Sequence, residues 1–461
     1  MAWRNINRSL EGRLSGDDVE ISGRVVGVRD HKNILFLDIG DHSGSVQLVI
    51  DKRTYDQDGL DQARKGSFVV AKGTLENRGK DSKEIKIESL DVIGRSSLRI
   101  QSPWEIDGSD PLFGNVVFSF PEVYVSNPQR AAILKIKTDF VGALHDYFQR
   151  EEFVLVEPPI ITDKTLYGKD NAIEAEVHGE RVFLSQCATF ELEPLALAFG
   201  RVYTISPAFR NEMAGSKRHL AEYTHAKAEA LLADIDFLKN LSTESIHHAM
   251  KVVLESNDKE LSLLGVNPDI EGLEPSKQER MTYNEAIAVA RERGSETEWG
   301  EGLKRRDEEI ITAYCGNKYV WVDFPPFATE GFPYRRLPSD RRLSMTCDLI
   351  APHSAGEMVG VAEKITDPEE LVQNLIEKGQ GKNISRFWKY IALREYGMPP
   401  HGGIGAAPER IIYGLLGLDH IRLTKPWPRY PDRKIVAPKE DLDDYGSDRL
   451  AGLIEKYALR G

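Results

Sequence analysis

Hydrophobic and polar positions alternate along most of the first hundred residues. The runs VEISGRVVGV, NILFLDIGD, GSVQLVID, SFVVAKGTL and EIKIESLDVIG each set apolar side chains two apart, the period of a half-buried strand. Turn residues separate them, so five short strands in about eighty residues predict a small barrel. Residues 101–124 are punctuated by Pro and Gly and read as a linker. The period then changes: Ala132, Ile133, Ile136, Phe140, Leu144, Tyr147 and Phe148 recur at helical spacing. The strand-like FVLVEPPI follows, and residues 202–205 read as another strand. Residues 222–257 read as helical throughout. Residues 258–318 are charged and helix-prone, as for a peripheral insertion lying over a sheet. Residues 320–327 return to strand, and two helices are expected at 369–378 and 386–396. The pattern predicts an α+β chain with a barrel over 1–100, a linker over 101–124, a main domain over 125–436 and an extension over 437–461.

The candidate chemistry concentrates in RVYTISPAFRNEMAGSKRHLAEYTHAKAEALLADID, residues 201–236. Arg210 and Glu212 stand two apart, and on an extended strand such a pair shares a face. One face then offers a cation to a phosphate or carboxylate and an acceptor to an amine. Arg218, His219 and Tyr223 follow a short polar loop. The set suits a bound nucleotide; a solvated hairpin with scattered charges is the competing reading.

Composition narrows the classes. No run approaches the roughly 20 apolar residues of a membrane helix, and no apolar signal core opens the chain. Cys187, Cys315 and Cys347 form no C-x-x-C pair, as expected of reduced thiols in a cytoplasmic protein. The net charge is −13, but the first hundred residues carry 17 basic and 16 acidic side chains. A polyanion is therefore expected, if anywhere, at the barrel. The stretch GGIGAAPER at 402–410 is no P-loop, because no Gly-Lys-Ser/Thr follows, and it lacks the last glycine of a dinucleotide fingerprint.

Three segments together carry a resemblance. Phe-Arg-x-Glu, a loop and Arg-His-Leu-x-Glu-Tyr resemble motif 2 of the class II aminoacyl-tRNA synthetases, aspartyl/asparaginyl subgroup. HGGIGAAPERIIYGLLGLDHIR at 401–422 resembles motif 3, and the helix and strand ending in VEPPI resemble motif 1. The resemblance implies an antiparallel catalytic sheet flanked by helices, an N-terminal OB-fold that binds the anticodon, and a homodimer through motif 1. It implies ATP and Mg²⁺ as cofactors, and tRNA and a small carboxylic or amino acid as partners. Arg210 and Arg410 would be catalytic. Glu212, Arg218, His219, Tyr223, Glu357 and Gly405 would join them around ATP, and Asp348 with Glu357 would hold Mg²⁺, which favours one or two carboxylates beside phosphate oxygens. Phe36, Gln47 and Arg29 would meet tRNA, Phe36 either by stacking on a base or as an ordinary core residue. The substrate would lie against Ser185, Glu191, Glu193, Lys227, Lys364 and Gly403, with Glu193 accepting the side-chain amide that separates asparagine from aspartate.

The sequence departs from the family at informative places. Ile39-Gly40-Asp41 lacks the arginine of the usual Leu-Arg-Asp, and Ala407 replaces a third glycine before Arg410. Lys227 falls where an acid normally holds the substrate ammonium, Lys364 replaces an arginine, and Val361-Ala362 replace Gly-Ser. No acidic Glu-Gly element stands near residues 167–171. Two like charges roughly 4 Å apart repel by about 4 kcal/mol at an effective dielectric near 20. An ordinary α-amino acid in the ordinary pose is then disfavoured unless Glu191 or Glu229 takes the ammonium. Two functions are open: an asparaginyl-type aminoacylating enzyme, or a paralogue that adenylates another carboxylate, such as the aspartate side chain, and passes it to an amine or ammonia without tRNA.

Overall fold

In a computed structural model of the chain, the described residues are 5–55, 60–78, 83–96, 103–106, 118, 120–168, 170–211, 216–353 and 355–430. The 437–461 extension and most of the 101–124 linker lie outside them. The chain divides between Ala132 and Ile133 into two compact units.

In the first, β1 (Asp18–Asp30), β2 (Ile34–Asp41), β3 (Gly44–Asp51), β4 (Phe68–Asn77) and β5 (Lys83–Gly94) close a barrel in the order β1-β2-β3-β5-β4. Strand alternation builds it: Leu35, Leu37 and Ile39 of β2 and Val46, Leu48 and Ile50 of β3 are buried inside. Phe36, Asp38 and Gln47 are only partly covered and sit on the opposite face. Phe36 is thus not part of the barrel core. Gly40, where the family arginine is missing, packs beneath the Trp104 indole, which leaves no room for a side chain. At the β4–β5 irregularity beside Lys72, Gly73 lies so close to the Lys86 carbonyl that any Cβ would collide with backbone.

The second unit is built on an eight-stranded sheet. Its strands are β6 (Val154–Leu155), β10 (Arg201–Phe209), β11 (Glu222–Leu231), β12 (Glu279–Thr282), β13 (Val320–Asp323), β14 (Thr346–Ala351), β15 (Gly356–Glu363) and β16 (His401–Ala406). Their order is β12-β13-β14-β15-β16-β11-β10-β6, antiparallel except for the β12–β13 and β6–β10 pairs. A small sheet of β7 (Ile161–Thr162), β8 (Glu174–Val177) and β9 (Glu180–Leu184) accompanies it. One face packs on the helix Ile235–Ser256 and on Ile136, Phe140, Leu144 and Phe148 of the helix Pro128–Arg150. Tyr203, Ala226, Ala228, Ala230, Val359, Val361 and Ile404 form the sheet side of that core.

Two expectations are corrected here. Residues 222–231 are strand β11, and the helix begins only at Ile235. Alanine is a strong helix former, which makes EYTHAKAEAL look helical, but its alanines stand two apart and fit the close approach of the helix behind the sheet. Residues 258–318 are not simply an overlay. They contribute the edge strand β12, and the helix Tyr283–Glu292 opens with a Thr282/Glu285 capping box.

Gly73→Ala is expected to destabilise the barrel by about 1–3 kcal/mol, the usual cost of overpacking, read as a lower denaturant midpoint with an unchanged slope.

Candidate functional site

The face of the sheet opposite the helical core carries the chemistry. On β11 the even positions Ala226, Ala228 and Ala230 are buried in the core, so Tyr223, His225, Lys227 and Glu229 project the other way. Gly403 and Gly405 of β16 pair with Glu229 and Lys227 on one side and with Ala362 and Gly360 of β15 on the other. Four small residues at the sheet centre keep this face hollow. A Cβ at Gly405 would stand 2.8 Å from His225 Nε2, and one at Gly403 would strike the Glu229 carboxylate.

The hollow is a cavity of about 420 Å³ lined by Arg210, His225, Lys227, Glu330, Tyr334, Asp348, Glu357, Lys364, Gly403 and Gly405, among others. A second, of about 110 Å³, shares Arg210, His225, Glu357 and Gly405 with it and is completed by Arg218, His219, Tyr223, Ala407 and Arg410. Arg210 and Arg410 thus line one space, although 200 residues apart in the chain. The Arg210 guanidinium lies 5.1 Å from the Tyr167 ring centre and 5.7 Å from that of Tyr223. Arg410 donates to the Glu357 carbonyl at 3.5 Å. Its helix, Pro408–Leu415, is anchored by the buried neighbour Glu409, which accepts from Lys137 at 2.6 Å and from the Thr224 hydroxyl of β11 at 2.7 Å. Arg218 donates to Glu308 at 2.6 Å. Ala407 has an extended φ of −102°, which any L residue adopts, so the missing glycine costs no strain.

Two groups of acids behave differently. Burial raises Asp348 well above its ordinary value, and the nearby Glu357 and Glu330 push it further. Glu330 is pushed up to about 7, by burial and then by Glu357. This is a site short of positive charge. Glu193 is the opposite case. Burial alone would raise it, but Arg394, His401 and Lys364 hold it well below the carboxylate range. It accepts from Tyr390 at 2.6 Å and from Arg394, and His401 Nε2 lies 3.3 Å away. Glu193, Glu229 and His401 come within 4.8 Å of one another, yet Arg394 and Lys364 already supply that group with positive charge. His225 is held well below its ordinary value by burial and by Lys227 and Arg210, so it faces the cavity as a neutral ring at neutral pH.

Of the sequence candidates, Arg210, Lys227, Asp348, Glu357, Lys364, Gly403 and Gly405 line the larger cavity, and Arg218, His219, Tyr223 and Arg410 line the smaller. Ser185, Glu191 and Glu193 line neither. Ser185 is buried and donates to the Cys187 carbonyl at 3.1 Å. Glu191 is pushed up to about 7 by burial, with Lys164 opposing. Glu193 is fully buried behind the cavity. Glu212 lies outside the described residues. His225, Tyr167, Tyr334, Glu330 and the Arg394–Tyr390 pair were not singled out from the sequence. Period-two reading of β11 would have found His225; Glu330, in the turn TEGFP, carries no local signal. On the barrel, Arg29 pairs with Asp38 at 3.0 Å and lies 5.9 Å from the Phe36 ring centre. Gln47 donates to Asp38 at 3.2 Å and accepts from Arg78 at 3.0 Å. These groups share one outer face of the barrel.

Comparison with known proteins fits this architecture. Residues 117–431 match the family described as tRNA synthetases class II (D, K and N), and residues 19–93 match the OB-fold nucleic acid binding domain. The chain belongs to the class II tRNA synthetase family. Within it, the chain is 32% identical over 424 residues to an asparagine–tRNA ligase of Desulforamulus reducens, covering 91% of this chain and 96% of that one. It is 30% identical over 428 residues to that of Pelotomaculum thermopropionicum, covering 91% and 96%. The crystal structure of asparaginyl-tRNA synthetase from Pyrococcus horikoshii complexed with asparaginyl-adenylate superimposes with a TM-score of 0.87 at 26% identity, covering 94% of this chain and all of that one. No helix among the described residues is long and apolar enough to cross a membrane.

An aspartate whose folded value is raised is penalised on ionising. The penalty is absent below its unfolded value near 3.8 and fully present above the folded value. Asp348→Asn is therefore expected to raise the melting temperature of the metal-free protein at pH 7, with the gain vanishing as the pH approaches 3.5. A lower melting temperature at pH 7 would contradict this.

Proposed function

We propose that the chain is an ATP-dependent ligase that activates asparagine or a related small acid as its acyl-adenylate and passes the acyl group to tRNA. The observation carrying this reading is the convergence of Arg210 and Arg410 on one cavity that opens into a second, polar one.

ATP lies along the smaller cavity and extends beyond it, its adenine against Tyr223, with Glu212 accepting from the adenine amine. Arg218 and His219 take the outer phosphates, Arg218 exchanging Glu308 for phosphate oxygens, and Arg410 clamps the γ-phosphate from the helix side. The acid lies in the larger cavity with its reacting carboxylate at Arg210. A carboxylate oxygen attacks the α-phosphorus while the bond to the bridging oxygen breaks, and pyrophosphate leaves with that electron pair. Two anions approach in this step, so preorganised cations lower the barrier as charge develops. A planar guanidinium suits the task because its fork matches phosphate oxygens. Asp348, half-buried, and Glu357, exposed at the cavity, fit Mg²⁺, which would supply positive charge between the two carboxyls.

For the second half-reaction, the barrel receives the tRNA, with Phe36 stacking on a base and Arg29 and Gln47 beside it. A homodimer through residues 127–160 is supported by the apolar Val154, Leu155, Ile160 and Ile161, which are exposed at and beside the sheet-edge strand β6. A cytoplasmic location is supported by three free cysteines. A paralogue that hands its acid to an amine or ammonia is the second reading, favoured by Lys227 and Lys364 in the cavity; the retained barrel favours tRNA.

Arg210→Ala and Arg410→Ala are each expected to lower pyrophosphate exchange by about 10²–10³-fold, measured as kcat/KM for ATP. Phe36→Ala is expected to raise the KM for tRNA in charging assays by roughly 10–100-fold, the equivalent of about 1–3 kcal/mol of lost stacking, while exchange is unchanged. Exchange without charging of any tRNA would favour the paralogue.

A further inference from the structure

Lys227 and Lys364 both line the larger cavity and are 5% and 3% exposed. Lys227 makes no hydrogen bond, and no ion pair within 4 Å, among the described residues. The Lys364 Nζ likewise donates to nothing; it lies 3.9 Å from a Glu193 oxygen and 4.6 Å from the Tyr334 ring centre. Buried ammonium groups without acceptors are costly and call for an anionic partner. The protein does not supply enough of one. Glu193 is engaged by Arg394, Tyr390 and His401, and Glu229, whose buried carboxylate lies where a Cβ on Gly403 would fall and accepts no hydrogen bond among the described residues, brings one negative charge to two lysines. Lys227, Lys364 and Arg394 against Glu193 and Glu229 leave an excess of positive charge at this end. The cavity acids Glu330, Asp348 and Glu357 influence one another electrostatically and form a separate group.

We propose that this end of the cavity holds a second carboxylate of the acid being activated, so that the substrate is a short dicarboxylic acid. Its second carboxylate accepts from Lys227 and Lys364 where an ordinary α-amino acid would present an ammonium. The inference rests on the adenylation reading above and specifies its acid. Aspartate satisfies it by turning round: its side-chain carboxylate reacts at Arg210 and its α-carboxylate meets the lysines.

The test is ATP–pyrophosphate exchange by the full chain with succinate, glutarate, malate, aspartate and asparagine, alongside the thermal shift induced by ATP alone. At least one dicarboxylic acid is expected to exceed asparagine in kcat/KM by tenfold or more. Lys227→Gln should raise the KM for that acid at least thirtyfold with the ATP-induced shift preserved, Lys227→Arg should largely rescue it, and Lys227→Glu should move the preference toward asparagine. Preserved melting temperatures exclude misfolding as the cause. Asparagine preferred by the wild type and indifferent to Lys227→Gln would overturn the inference while leaving adenylation intact. ATP binding without exchange on any dicarboxylate tested would overturn it as well. Absence of both ATP binding and exchange would instead overturn the adenylation reading itself.

Discussion

The constraint on which the catalytic unit depends is that one strand must satisfy a close-packed core and a charged cavity at the same time. β11 does so by strict alternation. Its three alanines let the helix Ile235–Ser256 approach the sheet, and the residues between them, Tyr223, His225, Lys227 and Glu229, carry all of its cavity-side chemistry. A slip of one residue would bury four polar groups and expose the alanines. The neighbouring strand fixes the same register from the other side, because Gly403 and Gly405 must fall opposite Glu229 and Lys227 for the hollow to exist. Glu409 adds a further lock, tying the helix that bears Arg410 to Thr224 of the same strand. The two arginines that define the site are therefore held by the register of one β-pair and one buried carboxylate.

Charge is distributed unevenly over this platform. Behind the cavity, Glu193 is enclosed by Arg394, Tyr390 and His401 and needs nothing from a ligand. Facing the cavity, Asp348 is opposed by Glu357 and Glu330, Lys227 and Lys364 donate no hydrogen bond, and the Glu229 carboxylate accepts none among the described residues. Buried groups left in that state destabilise the empty protein. They also define what a ligand must bring: positive charge beside β14, negative charge beside Lys227. Function is concentrated where the fold leaves its electrostatics incomplete.

Much of this was legible in the amino-acid sequence, and the failures have physical causes. The barrel strands could be read because each has one wet and one dry face, so that Leu35, Leu37 and Ile39 alternate with Phe36 and Asp38. Arg210 and Arg410 stood in segments with a recognisable family pattern. β11 was misread because its core residues are alanines, whose apolar signal is weak and whose propensity favours helix. That error hid His225. The edge strand β12 was lost among charged residues that are helical on both sides of it. Glu330, Arg394 and Tyr390 could not be found from local pattern at all, since each matters only through partners brought to it by the fold. Glu193 was picked out for its alignment with a substrate acceptor; its fully buried position behind the cavity is a tertiary fact.

The separation of the two faces of β11 also bears on how such enzymes diversify. A side chain on the hollow face can be exchanged for one of opposite sign without disturbing the alanines packed beneath it, so selectivity can drift while nucleotide handling and foldability stay fixed. The sheet then behaves as a keyboard whose keys can be recut one at a time, and lineages sharing one activation machinery can come to serve different metabolites.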